Sequence, residues 1–477
     1  MWNYRQYALH KLATLGPRYM PFADVATPEV PLSRLLRLSL FQVTVGMALV
    51  LLVGTLNRVM IVELSVPASL VAGMLALPLV FAPFRTLIGF RSDRHVSALG
   101  WRRVPYIWKG TMYQFGGFAI MPFALLVLSG YGEAIDAPRW IGLTSAALAF
   151  LLVGAGVHIV QTVGLALATD LVKEEDQPKV VGLMYVMLLV GMVVSALVYG
   201  MLLENYTPGR LIQVIQGSAV VTVALNILAL WKQEARDRNR AAAMLRQPHR
   251  TFRQAWSTLV RVPGTIKLLV VIALGTFGFG MADVLLEPYG GQALGFSVAD
   301  TTKLTALLAA GTLCGFGIAS RVLGQGGDAV RLARIGALVG IPGFAAIILS
   351  SMGGGPLVFL AGTLATGLGT GLFGHATLTA TMRAAPKDNN GLALGAWGAV
   401  QATAAGIGVA GAGILRDVIL AMPGQAGSAA HVPYNAVFMV EIGFLVLAVL
   451  VALPLSRVAA SAPAIPSDPE RRTVEVP

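Results

Sequence analysis

Charge is scarce in this chain. Only 12% of its 477 residues are Asp, Glu, Lys or Arg, about half the quarter usual in soluble domains, while 56% are hydrophobic. That shortage excludes an ordinary water-soluble globule. Acids are the scarcer sign, 23 against 35 Lys and Arg, and there is a single cysteine. Cys314 falls inside an apolar stretch, so no internal disulfide and no thiolate metal cluster can form. The phosphate-cradling GxxxxGK, nucleophile-elbow and zinc-protease motifs are missing as well. No enzyme chemistry is expected.

What the chain does have is apolar stretches long enough to cross a bilayer, which takes about 20 residues at 1.5 Å each. About twelve can be placed. They centre near Val45, Ala76, Gly117, Leu152, Leu188, Thr222, Leu274, Leu308, Gly340, Thr366, Ala404 and Leu447. The expectation is an all-α, polytopic integral membrane protein, with Pro78, Pro83 and Pro122 kinking or ending helices locally. No cleavable signal pattern is expected ahead of the first span. The basic, aromatic start is either a surface helix with Trp2, Leu9 and Leu12 in the membrane interface or a loose tail. A net charge of +12 would suggest nucleic acid in a soluble protein. Here the positive-inside rule explains it better. Basic residues crowd the amino terminus, the loop FRSDRHVSALGWRR, the link KQEARDRNRAAAMLRQPHRTFRQ, and Arg321, Arg331, Arg334, Arg383 and Lys387. Both termini are therefore expected in the cytoplasm.

The longest hydrophilic stretch divides the chain near its middle. The expected organisation is an interfacial segment 1–35, a six-helix bundle 36–232, a cytoplasmic linker 233–262, a second six-helix bundle 263–457 and a tail 458–477. A faint repeat relates the halves: EEDQPKVVG before span five parallels PKDNNGLALG before span eleven, aligning Gly182 with Gly395. Two parallel six-helix halves are the architecture of the major facilitator superfamily. The loop after span two resembles the superfamily's cytoplasmic gating motif through Gly89, Asp93, Arg94, Gly100, Arg102 and Arg103. Five residues separate Arg94 from Gly100 where the motif has one, so an orientation-setting loop accounts for the arginines equally well.

Polar residues inside spans carry a desolvation penalty and are the informative ones. Asp283 and Glu287 stand four residues apart in GTFGFGMADVLLEPYGGQALGF, on one face of a helix that Gly290-Gly291 is expected to end. A charged acid facing hydrocarbon costs at least about 2.5–3.5 kcal/mol, so both should face the bundle interior. They read as a proton site or as a docking element. His158 and Gln161 share a face of span four, and His375 lies in span ten. His158 precedes Gly182 by 24 residues and His375 precedes Gly395 by 20, a difference of about one helical turn. Neutral imidazole is an axial ligand for metal centres, including the magnesium of a chlorin ring. The other reading is a histidine hydrogen-bonded between packed helices. No protein-held metal site is expected. Asn57, Arg58 and Glu63 fall near the far interface, where the last two pair locally or anchor the helix at the headgroups. Lys109 and Gln114 suggest a basic, aromatic belt, and Gln213, Gln216, Gln401 and Glu441 are weaker candidates for lining a cavity. The glycine and alanine density of span eleven suits close helix packing or the approach of a flat ring.

The strings TLNRVMIVEL, FRTLIGFRSDRHVSALGWRRVPYIWKGTMYQFGGFAIMPFALLVLSG and ADVLLEPYGG resemble the bacteriochlorophyll delivery family, the branch of the major facilitator superfamily containing PucC and LhaA. The resemblance runs from about Leu36 to Leu455; the amino-terminal PRYMPFADVATPEVPLSRLLRLSLFQ looks more like LhaA members. It implies a photosynthetic bacterium, the cytoplasmic or intracytoplasmic membrane, and an assembly factor that binds bacteriochlorophyll or passes it to antenna subunits. LhaA-like members are associated with the core complex around the reaction centre and PucC-like members with the peripheral antenna. Expected partners are core antenna subunits, reaction-centre assembly intermediates, bacteriochlorophyll biosynthesis enzymes and membrane lipid, with no nucleic acid. The rival readings are a proton-coupled secondary transporter using Asp283 or Glu287, and a pigment-free docking scaffold.

Overall fold

A computed structural model describes residues 30–80, 88, 92, 101–130, 134, 136–173, 176–234, 263–384, 390–423 and 429–460. Gly89, Asp93, Arg94, Gly100 and Pro83 of the expected gating loop and span two, and the whole 1–29 segment, lie outside the described residues.

The described chain is helical and crosses back and forth. The first half holds α1 (Leu32–Glu63), α2 (Ala68–Val80), α3 (Val104–Ser129), α4 (Arg139–Asp170), α5 (Gln177–Leu202) and α6 (Pro208–Leu230). The second holds α7 in two segments (Thr265–Gly280 and Ala282–Leu294), α8 (Val298–Gly324), α9 (Ala329–Leu349), α10 (Gly355–Ala384), α11 (Asn390–Leu420) and α12 (Val432–Ala460). Ten helical runs are long and apolar enough to span a membrane. One of them, Ala329–Ala384, is two crossings in a single 56-residue run. It folds back where Gly353 and Gly355 take φ of 117° and 71°, backbone that glycine adopts without steric cost. Gly343 of α9 then faces the Thr366 amide of α10. With this division and the shorter α2, the crossings come to about twelve. The chain is an integral membrane protein.

Close backbone approach holds each half together. In the first half, a Cβ at Gly156 of α4 would stand 2.5 Å from the Gly110 carbonyl oxygen of α3, and one at Gly117 would stand 2.7 Å from that of Ala149. In the second, a Cβ at Gly362 of α10 would meet the Gly343 oxygen of α9 at 2.7 Å. Small residues allow this in a solvent of lipid tails, where van der Waals packing rather than the hydrophobic effect joins helices. A polar chain adds to it: Thr44 of α1 donates to Asn226 of α6, which donates to Thr111 of α3. Pro78 and Pro122 sit within α2 and α3 without ending them. Gln114, expected in an interfacial belt, is instead fully buried between α3 and α4. Lys109 keeps the belt position, exposed, with Nζ 5.6 Å from the Tyr106 ring centre.

On the basic side of the first half, Arg102 and Arg103 both reach Asp170 at the end of α4, at 2.7 and 3.1 Å. Glu234, just after α6, accepts from the backbone amides of Arg102, Arg103 and Val104 at 2.8–3.1 Å. These are the amides that the first turn of α3 leaves unpartnered, and a carboxylate suits the positive end of a helix. The arginines of the gating-type loop thus tie α3, α4 and the α6 exit together within one half. Removing the acceptor with Glu234→Ala should cost about 1–2 kcal/mol, as loss of a cap does. A fall in the thermal midpoint of the detergent-solubilised protein, with Glu234→Gln intermediate, is the expected result.

Candidate functional site

The halves meet along a seam at the far side, the side opposite the basic loops. Thr55 of α1 hydrogen-bonds Thr302 of α8 at 3.1 Å. Asn57 Nδ2 donates to the Val284 carbonyl of α7 at 2.8 Å, and Arg58 Nη2 to that of Phe296 at 3.0 Å. Asp417 of α11 accepts from the Ser69 amide of α2 at 2.7 Å, and Lys303 pairs with Glu204 at 3.3 Å. Gly413 of α11 approaches the Ala68 carbonyl oxygen, 2.6 Å from its would-be Cβ. Arg58 also pairs with Glu63, as one sequence reading expected. Asn57 and Arg58, however, are buried across the seam rather than set at headgroups. Here α1 widens into π-helical turns, Val50–Leu56 and Val59–Glu63, a departure from α geometry that recurs at functional sites.

Away from the seam, toward the basic side, the halves part around a cavity of about 850 Å³. The first half contributes His158, Gln161, Thr162 and Thr169 of α4 and Tyr185 and Met192 of α5; the second contributes Thr276, Phe279 and Asp283 of α7, Thr312 of α8, Thr366, Thr370 and Phe373 of α10, and Trp397 and Gln401 of α11. The sequence reading brought His158, Gln161, Asp283 and Gln401 into view. It missed the threonines, Tyr185 and Trp397; the one available signal was Thr366 and Thr370, one turn apart on a single face. One wall is built from small residues: Gly280, Ala282, Gly374, Gly398, Ala399, Ala402 and Ala405. A Cβ at Gly374 or Gly398 would meet no atom within 4 Å, so both glycines leave the cavity wider than any other residue would. Elsewhere on α11 the glycines divide, Gly413 being packed and Gly411 open.

The acid pair does not act as a pair. Asp283 exposes its carboxylate to the cavity, and no described group donates a hydrogen bond to it. Glu287 is 3% exposed and lies in the seam, where Thr305 of α8 donates to it and Gly54 of α1 closes over it. The reason is local geometry. Two residues four apart differ by about 40° around a helix, and α1 and α8 close over Glu287 while Asp283 lines the cavity, so one acid opens inward and the other is capped by neighbouring helices. Glu441 of α12 is fully buried, with neither carboxylate oxygen hydrogen-bonded by a described group. Nor does Gly290-Gly291 end the helix. It runs to Leu294 and stops at Gly295, with φ 70°; Gly290 packs against Phe359 and Thr301, and Gly291 against Arg58. These glycines serve contact, not termination.

The two histidines separate as well. His158 lines the cavity, whereas the His375 ring packs at 4.1 Å against that of Phe316 of α8. The similar faces expected from the repeat do not hold: one imidazole opens to the cavity and the other packs on a neighbouring helix. Gln213 and Gln216 are exposed on α6 outside the cavity lining, and Glu441 is buried behind it.

Two six-helix halves joined at one side and parted around a polar-dotted cavity define a major facilitator superfamily fold. A solved bacterial homologue of the human lysosomal transporter Spinster, inward-facing and unoccupied, superposes with a TM-score of 0.67 over 91% of this chain and 98% of that one at 15% identity. At such identity the likeness concerns the fold alone. The particular family follows from the sequence comparisons: the PUCC protein profile matches residues 55–460, and the chain belongs to the PucC family. Protein PucC of Rhodobacter capsulatus is 70% identical over 455 residues, 95% of this chain and 98% of the relative. Protein PucC of Rhodovulum sulfidophilum is 64% identical over 429 residues, 90% and 94%. These relatives carry the PucC name and do not establish the expected closeness to LhaA members.

Proposed function

We propose that this chain is a non-enzymatic assembly factor that holds bacteriochlorophyll in the cavity between its halves and passes it to light-harvesting subunits. The observation that carries the reading is the cavity itself. Its volume of about 850 Å³ lies in the upper part of the range for small-molecule pockets. Its walls are mostly apolar, its glycine-lined side leaves room for a flat ring, and His158 and Gln161 offer nitrogen and oxygen ligands for a chlorin magnesium. His375, away from the cavity, is the lesser candidate. In this reading the protein sits in the cytoplasmic or intracytoplasmic membrane of a photosynthetic bacterium with both termini in the cytoplasm, as its basic side suggests. Its partners are antenna subunits, reaction-centre assembly intermediates and biosynthesis enzymes. The amino-terminal string points to the core antenna as recipient; 70% identity to a PucC points to the peripheral one. Recovery of antenna subunits with the tagged chain decides between them.

Purification from a pigment-producing host should give bacteriochlorophyll absorbance, and His158→Leu should reduce it several-fold while His375→Leu does not. Absence of both pigment and antenna partners from the wild-type preparation would overturn the reading. A pigment-free scaffold would survive both changes. The transporter reading draws on one feature, the Asp283 carboxylate open to the cavity; it requires solute flux coupled to an imposed pH gradient in proteoliposomes, which the assembly-factor reading does not.

A further inference from the structure

We propose that the cavity selects an uncharged, esterified tetrapyrrole over the corresponding free acid, with Asp283 as a specificity-determining residue. This rests on the pigment-binding reading above and adds which chemical form is accepted.

The argument is one of charge. Among the described residues no lysine or arginine lines the cavity. The arginines nearest the membrane interior are engaged elsewhere: Arg58 with Glu63 and the Phe296 carbonyl, and Arg416 with Asp417 and Gln292. A tetrapyrrole with a free propionate side chain carries an ionised carboxylate. Taking that group out of water is costly unless a cation or several N–H donors receive it. The donors facing the cavity are hydroxyl, amide, indole and imidazole groups, none of them a lysine or arginine. The hydroxyls of Thr312 and Thr370 are already spent on their own helices, on the Leu308 and Thr366 carbonyls at 2.9 Å.

Asp283 sharpens the choice. Ionised, it repels a second carboxylate across a low-dielectric space. Protonated, it offers an O–H to a ring carbonyl or ester oxygen, while a free acid sharing that proton still leaves one negative charge with no lysine or arginine in the lining. Both states favour the ester. An ester presents carbonyl oxygens, acceptors that suit the amide groups of Gln161 and Gln401.

The test must separate charge from the pull of a long alcohol tail. Protein made in a non-photosynthetic host would therefore be titrated with bacteriochlorophyllide a and with its methyl ester, which differ by the charge and one methyl group. Binding is read from quenching of pigment fluorescence. Wild type should bind the methyl ester at least about tenfold more tightly, each tenfold being 1.4 kcal/mol. Asp283→Asn should narrow the gap and Asp283→Lys should abolish or reverse it, each checked for a monodisperse elution profile. Asp283→Asn carries the test if the lysine variant does not fold. Equal binding of both pigments by wild type, or a preference unchanged in Asp283→Asn, overturns the selectivity while leaving pigment binding intact. Failure of wild type to bind either pigment overturns the pigment-binding reading and this proposal with it.

Discussion

Gly311→Leu should remove most of the folded protein from the membrane. A Cβ at Gly311 would stand 2.5 Å from the Leu364 carbonyl oxygen and 3.1 Å from the Leu368 amide nitrogen, both on α10. These are backbone atoms of a long helix, so no rotamer change relieves the clash. The opposite face is equally tight, since Gly367 and Gly371 of α10 press against the Leu308 and Thr312 carbonyls of α8. Overpacking a side chain costs about 1–3 kcal/mol and more where backbone must move, and even about 1–2 kcal/mol changes cellular abundance several-fold. Here the whole α8–α10 contact must open. Fluorescence-detected size-exclusion of a tagged chain should show the monodisperse peak largely lost. A normal peak would mean that these two helices are not in contact as described.

Gly398→Trp should do the reverse, leaving the fold and emptying the cavity of ligand. The two glycines look alike in the sequence, but nothing lies within 4 Å of a Cβ at Gly398, so an indole there grows into open space. It would take up much of the wall that Gly374, Ala402 and Ala405 keep low. The expected result is ordinary accumulation and elution, with co-purified bacteriochlorophyll down by about tenfold or more, a loss of at least 1.4 kcal/mol of binding. Gly374→Trp, on α10, should behave similarly. Pigment retained in full by both variants would move the binding site out of the cavity.

Reading these two glycines apart required coordinates. The sequence made the membrane character, the near-twelve crossings and the two halves legible, because the composition of each span and the hydrophilic divide between Lys232 and Arg261 are local properties. It also marked His158, Gln161, Asp283 and Gln401, since a polar side chain inside an apolar run stands out wherever it points. What it left hidden depends on helix rotation. Asp283 and Glu287 share a nominal face, yet the approach of α1 and α8 closes one into the seam and leaves the other open to the cavity. Gln114 carries the same signal as Gln161 and is sealed between α3 and α4. Gly290-Gly291 reads as a stop because glycine often stops helices; here it is the contact with Phe359 and Arg58 that calls for it.

The seam has one further property. At its centre the donors are the side chains of Asn57 and Arg58 on α1, while the acceptors are the main-chain oxygens of Val284 and Phe296. An oxygen of the backbone is supplied by whatever residue occupies the position. The chemical identity of these two hydrogen bonds is therefore written on the first half alone. The second half is free to vary its side chains at Val284 and Phe296, within the limits of packing, without surrendering either hydrogen bond; α1 has no such latitude.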